Sequence, residues 1–406
     1  MFRLRYYLLL LNNYKFFRIL KWAYAFFTFQ WIKIQRFFID KGITSKKKKR
    51  IFCTNGNLSL INALTIIEQL DKKNCDDYLI IHSFGGSYNF WKNNYDIAKL
   101  HNFKGIRLLP NVNLLRDLKL TGWAHFDEIY VLNLQHTLPF IMKMYPEAEV
   151  NLLDEGCVSL INKGKSLDDR KDIKYFYTHN YIDKFDNYGF PEHLLKKIVP
   201  LDTSIFGKIS AKIAEQYPIL TSYDKDGKNI LYCSIFWQAS GLTKEKYIET
   251  QNKQINDLLQ AGYKILFKPH PRDTEFYGID KNPNITIIDS VLPVEMYRWD
   301  VLAMTGMNCG TLIHLSHYNN IPTFSNIIDE ALYGSADKSF SSNFIRYCLK
   351  EYSPDYQELL KLDVKNTSRK ELKVQIKKIY DDFIKDKPLL SQNNKIKEFS
   401  EKYGIN

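Results

Sequence analysis

The residues in this chain best placed to do chemistry stand directly after short apolar runs. Asp154-Glu155-Gly156 follows the run 149–153, so two adjacent carboxylates emerge at a glycine turn. A carboxylate in that place can take the proton of a hydroxyl as the hydroxyl attacks carbon. Lys268-Pro269-His270-Pro271-Arg272 follows the run 264–267. Its two prolines stiffen the loop and hold it out of helix, while Lys268, His270 and Arg272 supply donors for a phosphate. An imidazole or ammonium there stabilises the charge that grows on a departing phosphate. Taken singly, each has an ordinary alternative: acid-acid-Gly is also a surface turn, and a lone histidine is often structural.

Three further segments fit the same picture. Pro293-Val294-Glu295 opens a predicted helix, where a first-turn acid either answers the helix dipole or accepts hydrogen bonds from ribose hydroxyls. The segment 304–311, Met-Thr-Gly-Met-Asn-Cys-Gly-Thr, joins a strand to a helix. Its small residues, Gly310 and Thr311 above all, either form a capped turn or bring backbone N–H groups onto a phosphate. His82-Ser83-Phe84-Gly85-Gly86-Ser87 stands at another strand end and lines the acceptor side in this reading. Neither GxGxxG nor GxxxxGK[ST] occurs, which excludes the usual dinucleotide and P-loop sites. No Asp-x-Asp metal motif is read in the chain, so no obligatory metal and no cofactor are expected.

These loops need strands to position them, and the pattern supplies strands. From residue 50 onward, short apolar runs alternate with helical periodicity, as in a parallel sheet with crossover helices. The runs 51–54, 78–82, 107–109, 128–132 and 149–153 predict a five-stranded first sheet, with a helix over 58–70 after the Asn55-Gly56-Asn57 turn. A polar stretch at 222–228 separates a second series: strands at 229–234, 264–268, 285–288, 301–304 and 322–325, and helices at 244–261 and 311–317. A Lys-rich helical region begins near 345. The expectation is an α/β chain of two Rossmann-like lobes, at 50–220 and 221–345, with C-terminal helices over 346–406. Ligands of such sheets bind at the carboxyl ends of the strands, in the crevice between the lobes.

Residues 1–49 differ from everything that follows. The first 50 residues hold thirteen Lys or Arg against one acid, Asp40, a net +12 that equals the charge of the whole chain. The remainder is formally neutral and has no reason to bind a polyanion such as nucleic acid over a broad face. Aromatic residues such as Phe16, Phe17, Trp22, Phe26, Phe27 and Trp31 interleave with those cations. The longest uncharged run, 22–32, is eleven residues, where a spanning helix needs about 20. This composition suits a helical arm lying on an anionic membrane surface, with a helical subdomain or a polyanion-binding arm as alternatives. The expected location is cytoplasmic, peripheral on the inner face of the plasma membrane. Six cysteines, scattered and without a CxxC pair, read as free thiols of a reducing compartment.

The order of the motifs narrows the reading. An acid-acid-Gly closes the first lobe's strand series, a His-Pro loop comes early in the second, a Pro-x-Glu follows about 25 residues on, and a small-residue turn comes after it. This arrangement resembles the bacterial two-lobed sialyltransferases of the lipooligosaccharide sialyltransferase and capsule polysialyltransferase families. Their shared motifs are D/E-D/E-G, HP and a Ser-Ser/Thr pair, and the likeness covers about residues 50–330, including Cys53-Thr54-Asn55-Gly56-Asn57-Leu58.

The resemblance implies a GT-B-like, inverting, metal-independent enzyme that moves sialic acid, or a related nonulosonic acid, from a CMP donor to a glycan acceptor. Asp154 or Glu155 would be the base, and His270 would contact the donor phosphate beside Lys268, Pro271 and Arg272. Glu295 would hold the ribose. The serine pair is replaced by Asn308-Cys309-Gly310-Thr311, which leaves one hydroxyl, on Thr311. A same-fold enzyme with another donor, UDP-sugar or CMP-Kdo, and a non-catalytic glycan-assembly protein remain the alternatives.

Overall fold

The computed structural model describes residues 47–70, 74–82, 88–109, 125–132, 145–153, 172–178, 194, 197–219, 221–235, 237, 240, 242–270, 278–288, 292–307, 309–312, 321–327, 349–350 and 353–385. Two wholly parallel sheets carry the chain. The first has the order β3-β2-β1-β4-β5-β6-β7, from strands β1 (Lys48–Thr54), β2 (Cys75–His82), β3 (Gly105–Leu109), β4 (Glu128–Leu132), β5 (Glu149–Leu153), β6 (Ile173–Thr178) and β7 (Ile198–Pro200). Helices α1 (Asn57–Gln69) and α2 (Tyr88–Ala98) follow β1 and β2. The second sheet has the order β10-β9-β8-β11-β12, from β8 (Asn229–Cys233), β9 (Lys264–Lys268), β10 (Ile285–Ile287), β11 (Ala303–Met307) and β12 (Thr323–Asn326). The chain is thus α/β with two Rossmann-like sheets, as its periodicity predicts.

Several bounds differ from the sequence expectation. Among the described residues the first sheet has seven strands where five were expected. β5 is therefore not the last strand, and the acid-acid-Gly segment leaves from inside the sheet. β1 begins at Lys48 because its leading cations find partners: Lys48 with Glu128, the Lys49 N–H with Asp127 at 2.7 Å, and Arg50 with Asp77. Part of the basic run thus belongs to the sheet. β11 extends to Met307, so Thr305, Gly306 and Met307 are strand and the turn after them is shorter. Pro293-Val294-Glu295 opens a 3-10 turn, Val294–Met296, in place of a helix.

Period-two alternation builds the second sheet's two faces. Ile230, Tyr232, Ile265, Phe267 and Ala303 face a core completed by α4 (Lys244–Ala261), α5 (Gln357–Leu360) and α6 (Arg369–Ile384). Leu231, Cys233, Leu266 and Met304 face the other way, into a cluster continuous with the core of the first sheet. The C-terminal helices therefore close the second lobe: Leu372, Ile376, Tyr380 and Ile384 of α6 all pack there at helical spacing. Local signals start and stop the helices. Thr243 caps α4, Ser368 and Glu371 form a capping box on α6, and Gly262, at φ +105°, ends α4 in the left-handed region.

Helix α3 (Thr203–Gln216) joins the lobes. Asp202 caps it through the N–H groups of Ser204 and Ile205. Its buried Phe206 and Ile213 belong to the cluster that also holds Leu292, Val294, Met296 and Trp299. The Tyr297 hydroxyl donates to the Tyr217 carbonyl at its C-terminal end, at 2.9 Å. Among the described residues no helix is long and apolar enough to cross a membrane.

A buried ion pair lies at the amino end of the first sheet. Arg50, 1% exposed, donates through Nε and Nη2 to both oxygens of Asp77, at 2.7 and 3.1 Å, with His101 at 3.4 Å on the same carboxylate. Burial alone would raise the Asp77 pKa, but hydrogen bonds from His101 and Arg50 and their charge outweigh it and leave the carboxyl below its ordinary value. Its contribution to stability is therefore present above the ordinary carboxylate pKa and lost as pH falls through the depressed value. Asp77→Asn is expected to destabilise the protein by about 3 kcal/mol at neutral pH, because it strands a buried guanidinium, whereas Arg50→Met with Asp77→Leu recovers most of the loss. Chemical denaturation of the three proteins tests this, and a double variant no better than Asp77→Asn would refute it.

Candidate functional site

Three polar side chains converge at the carboxyl end of the second sheet. Lys268 is the last residue of β9 and 9% exposed, with its Nζ donating to the Pro269 carbonyl at 3.2 Å. By alternation it shares a face with Leu266, the face turned toward the core joint. Glu295, in the 3-10 turn, is 6% exposed. Burial raises its pKa, opposed by a hydrogen bond from the Thr311 side chain and by the charge of Lys268. A cation, a buried carboxylate and a hydroxyl thus meet where β8 and β11 part, the point at which the strand order reverses. That is where open α/β sheets bind ligands.

The seam between those strands is unusually tight. A Cβ on Gly306 would stand 2.4 Å from the Cys233 carbonyl oxygen, so only glycine fits. Just beyond it, the Leu312 N–H donates to the Cys309 carbonyl at 3.1 Å, and the Thr311 hydroxyl and the backbone N–H groups of Thr311 and Leu312 favour the ionised form of the Cys309 thiol. Burial nevertheless pushes the thiol up to about 11, so it stays protonated. The Thr311 hydroxyl is also engaged with Glu295, which makes Thr311 a residue that orients the carboxylate. Gly306 and Cys309 lie within the 304–311 segment that the sequence offered as a phosphate turn but were not singled out in it; the available signal was a glycine inside a strand.

The remaining sequence-predicted residues divide as follows. His270 and Gly310 are half-buried, two residues beyond β9 and three beyond β11. Asp154, Glu155, Pro271 and Arg272 lie outside the described residues; Asp154 follows directly on Leu153, the last residue of β5. In the first lobe, His82 ends β2, is fully buried, and has both ring nitrogens without a hydrogen-bond partner. Burial lowers its pKa to about 4, so it is neutral. Ser83 to Ser87 lie outside the described residues. An Asp-x-Asp sequence does occur, at Asp224-Lys225-Asp226, but in the turn leading into β8. There Asp224 pairs with Lys264 at 3.0 Å and accepts from the Asp226 N–H. Cys53, Cys75, Cys233 and Cys309 are free thiols.

The chain can now be set beside known proteins. Residues 28–327 match the family model described as alpha-2,8-polysialyltransferase. No curated protein matches the chain significantly. Among solved structures, the UDP-GlcNAc 2-epimerase of Methanocaldococcus jannaschii is similar at a TM-score of 0.50 and 14% identity, covering 74% of this chain and 99% of that one. The wall teichoic acid polymerase TagF aligns at a TM-score of 0.48 and 12% identity, over 96% of this chain and 99% of that one. At such identity the epimerase likeness speaks to the fold, a two-lobed GT-B-like architecture.

The buried Glu295 makes a prediction of definite sign. Its folded pKa lies above the unfolded one, so the cost of ionising it is absent in acid and appears as pH rises through the folded value. Glu295→Gln keeps the shape and removes that cost. Its melting temperature relative to the unsubstituted protein is expected to be unchanged near pH 4 and to rise toward pH 7. A difference that stays flat or falls with pH would refute the reading.

Proposed function

Because the chain belongs to the alpha-2,8-polysialyltransferase family, and is thereby a glycosyltransferase, we propose that it transfers sialic acid, or a related nonulosonic acid, from a CMP-activated donor to a cell-surface glycan. Lipooligosaccharide or capsule is the acceptor class. The observation that carries this reading is the Lys268, Glu295 and Thr311 constellation at the strand-reversal point of the second sheet. Glu295, oriented by Thr311, accepts hydrogen bonds from the ribose hydroxyls. Lys268 and His270, with Arg272 and Pro271 shaping the loop, face the single phosphate.

The charge count supports a monophosphate. A CMP donor carries one phosphodiester charge, which a lysine, a histidine and the N–H groups near Gly310 can match without a metal. In the proposed step Asp154, or its neighbour Glu155, accepts the proton of the acceptor hydroxyl. The oxygen bonds to the anomeric carbon, the bond from that carbon to the phosphate oxygen breaks, and CMP leaves with the electron pair. Displacement from the opposite face inverts the centre. The basic aromatic arm holds the enzyme at the inner face of the plasma membrane.

Purified protein in EDTA is expected to release CMP from CMP-sialic acid and no nucleotide from UDP-sugars. His270→Ala and Asp154→Ala should each lower the rate at least about a hundredfold. Full activity in both variants would overturn the roles, and UDP-sugar turnover would overturn the donor. Removal of residues 1–45 is expected to release the protein from anionic liposomes in a flotation assay, and retained binding would count against the membrane reading.

A further inference from the structure

The carboxyl end of β8 is fixed from three sides by three successive residues. The Cys233 carbonyl is the group that Gly306 of β11 approaches. The Ser234 N–H donates to the Lys268 carbonyl, at the end of β9, at 3.1 Å. The Ile235 carbonyl accepts from the hydroxyl of Tyr247, in the first turn of α4, at 2.7 Å. That hydroxyl also lies 3.2 Å from the Ser234 hydroxyl and 2.8 Å from Gln251 Oε1. Tyr247 is 0% exposed and Gln251 1%, so these bonds are made out of water, where they are electrostatically strongest.

Docking of α4 does not call for this network. Gln254 already ties the helix to the sheet through Tyr232 and Thr305, and Ile255 and Leu258 lie in the core of the second lobe. Tyr247 bonds instead to the chain that leaves the strand. Its ring packs with Leu242 and Met307, and Ile235 and Trp237 pack against that cluster. The segment held in this way is hydrogen-bonded to Lys268, two residues before His270. The Lys268 side chain turns away from α4 by the alternation of β9. A buried hydroxyl on one face of the sheet is thereby linked to a cation on the other.

We propose that Tyr247 is a positioning residue of the donor site: its hydroxyl pins the exit of β8 and, through the Ser234 N–H, the Lys268 end of β9, so that the Lys268–His270 loop is in place before the donor arrives. The inference rests on the glycosyltransferase reading above, and Tyr247 acts without touching substrate. When the hydroxyl is removed, the loop samples other positions. A donor that fits only one of them binds more weakly, in proportion to the time that position is populated. Once the donor is bound the loop is ordered again, so the loss falls on KM and spares kcat.

Tyr247→Phe keeps the ring and removes the hydroxyl. In steady-state CMP release from CMP-sialic acid it is expected to raise KM about tenfold while kcat stays within about twofold. Gln254→Met, on the same helix, is expected to lower the melting temperature at least as much as Tyr247→Phe and to leave KM unchanged. Hydrogen exchange of the free protein gives a second readout: the peptide spanning 229–237 should exchange faster in Tyr247→Phe, and one spanning 255–261 at the same rate. An unchanged KM in Tyr247→Phe overturns the proposal. So does an equal rise of KM in Gln254→Met, which assigns the effect to general loosening, or a 229–237 peptide that exchanges as in the unsubstituted protein. Absence of CMP release from the unsubstituted protein sinks the donor assignment instead, while hydrogen exchange still decides whether the hydroxyl pins the exit of β8.

Discussion

The close approach of β11 to β8 is the constraint on which the candidate site depends. Gly306 comes so near the Cys233 carbonyl that a single methyl group would force the strands apart. Beyond Met307 the chain leaves the strand, and the Leu312 N–H donates to the Cys309 carbonyl at 3.1 Å. That turn brings Thr311 to Glu295. The Glu295 carboxylate and the Lys268 ammonium are both buried, and the charge of each is felt by the other.

Much of the frame was legible in the sequence where burial is uniform. β4, β5, β9 and α4 have the bounds their apolar patterns predict, because runs such as Glu128 to Leu132 are buried throughout. Misreadings arose where tertiary partners override local pattern. Lys48, Lys49 and Arg50 look like the end of a basic arm, yet strand pairing and the acids Asp77, Asp127 and Glu128 draw them into the sheet. β7 is three residues ending in proline, too short to stand out, and β11 hides a glycine that reads as a turn. In the site, Lys268 and Glu295 were legible from their loops. The Thr311 to Glu295 hydrogen bond was not, since it links residues that only the fold brings together.

The two lobes manage polarity differently. At the amino end of the first sheet, Arg50 and Asp77 satisfy each other within an apolar surround. In the second lobe, neutral groups do the equivalent between α4 and the sheet: Gln254 accepts from the Tyr232 hydroxyl at 3.1 Å and donates to Thr305 at 2.9 Å. Fully paired buried networks of this kind specify one arrangement of helix on sheet. His82, a neutral imidazole at a strand end, and Asn151 of β5 are buried with both side-chain polar atoms lacking a hydrogen-bond partner. A buried polar group left in that state is a net cost to folding.

The joint at α3 bears on how the protein is made. The buried face of this helix is completed by Leu292, Val294, Met296 and Trp299, which a ribosome delivers only after β8, α4 and β9 have been synthesised. Domains ordinarily fold as units in the order of synthesis. Here the nascent first lobe keeps Phe206 and Ile213 incompletely covered until the 292–301 segment emerges, so part of its apolar surface awaits a later stretch of the same chain. The enzyme's assembly is coupled across its lobes, and the interval before that segment arrives is the one in which a chaperone has something to hold.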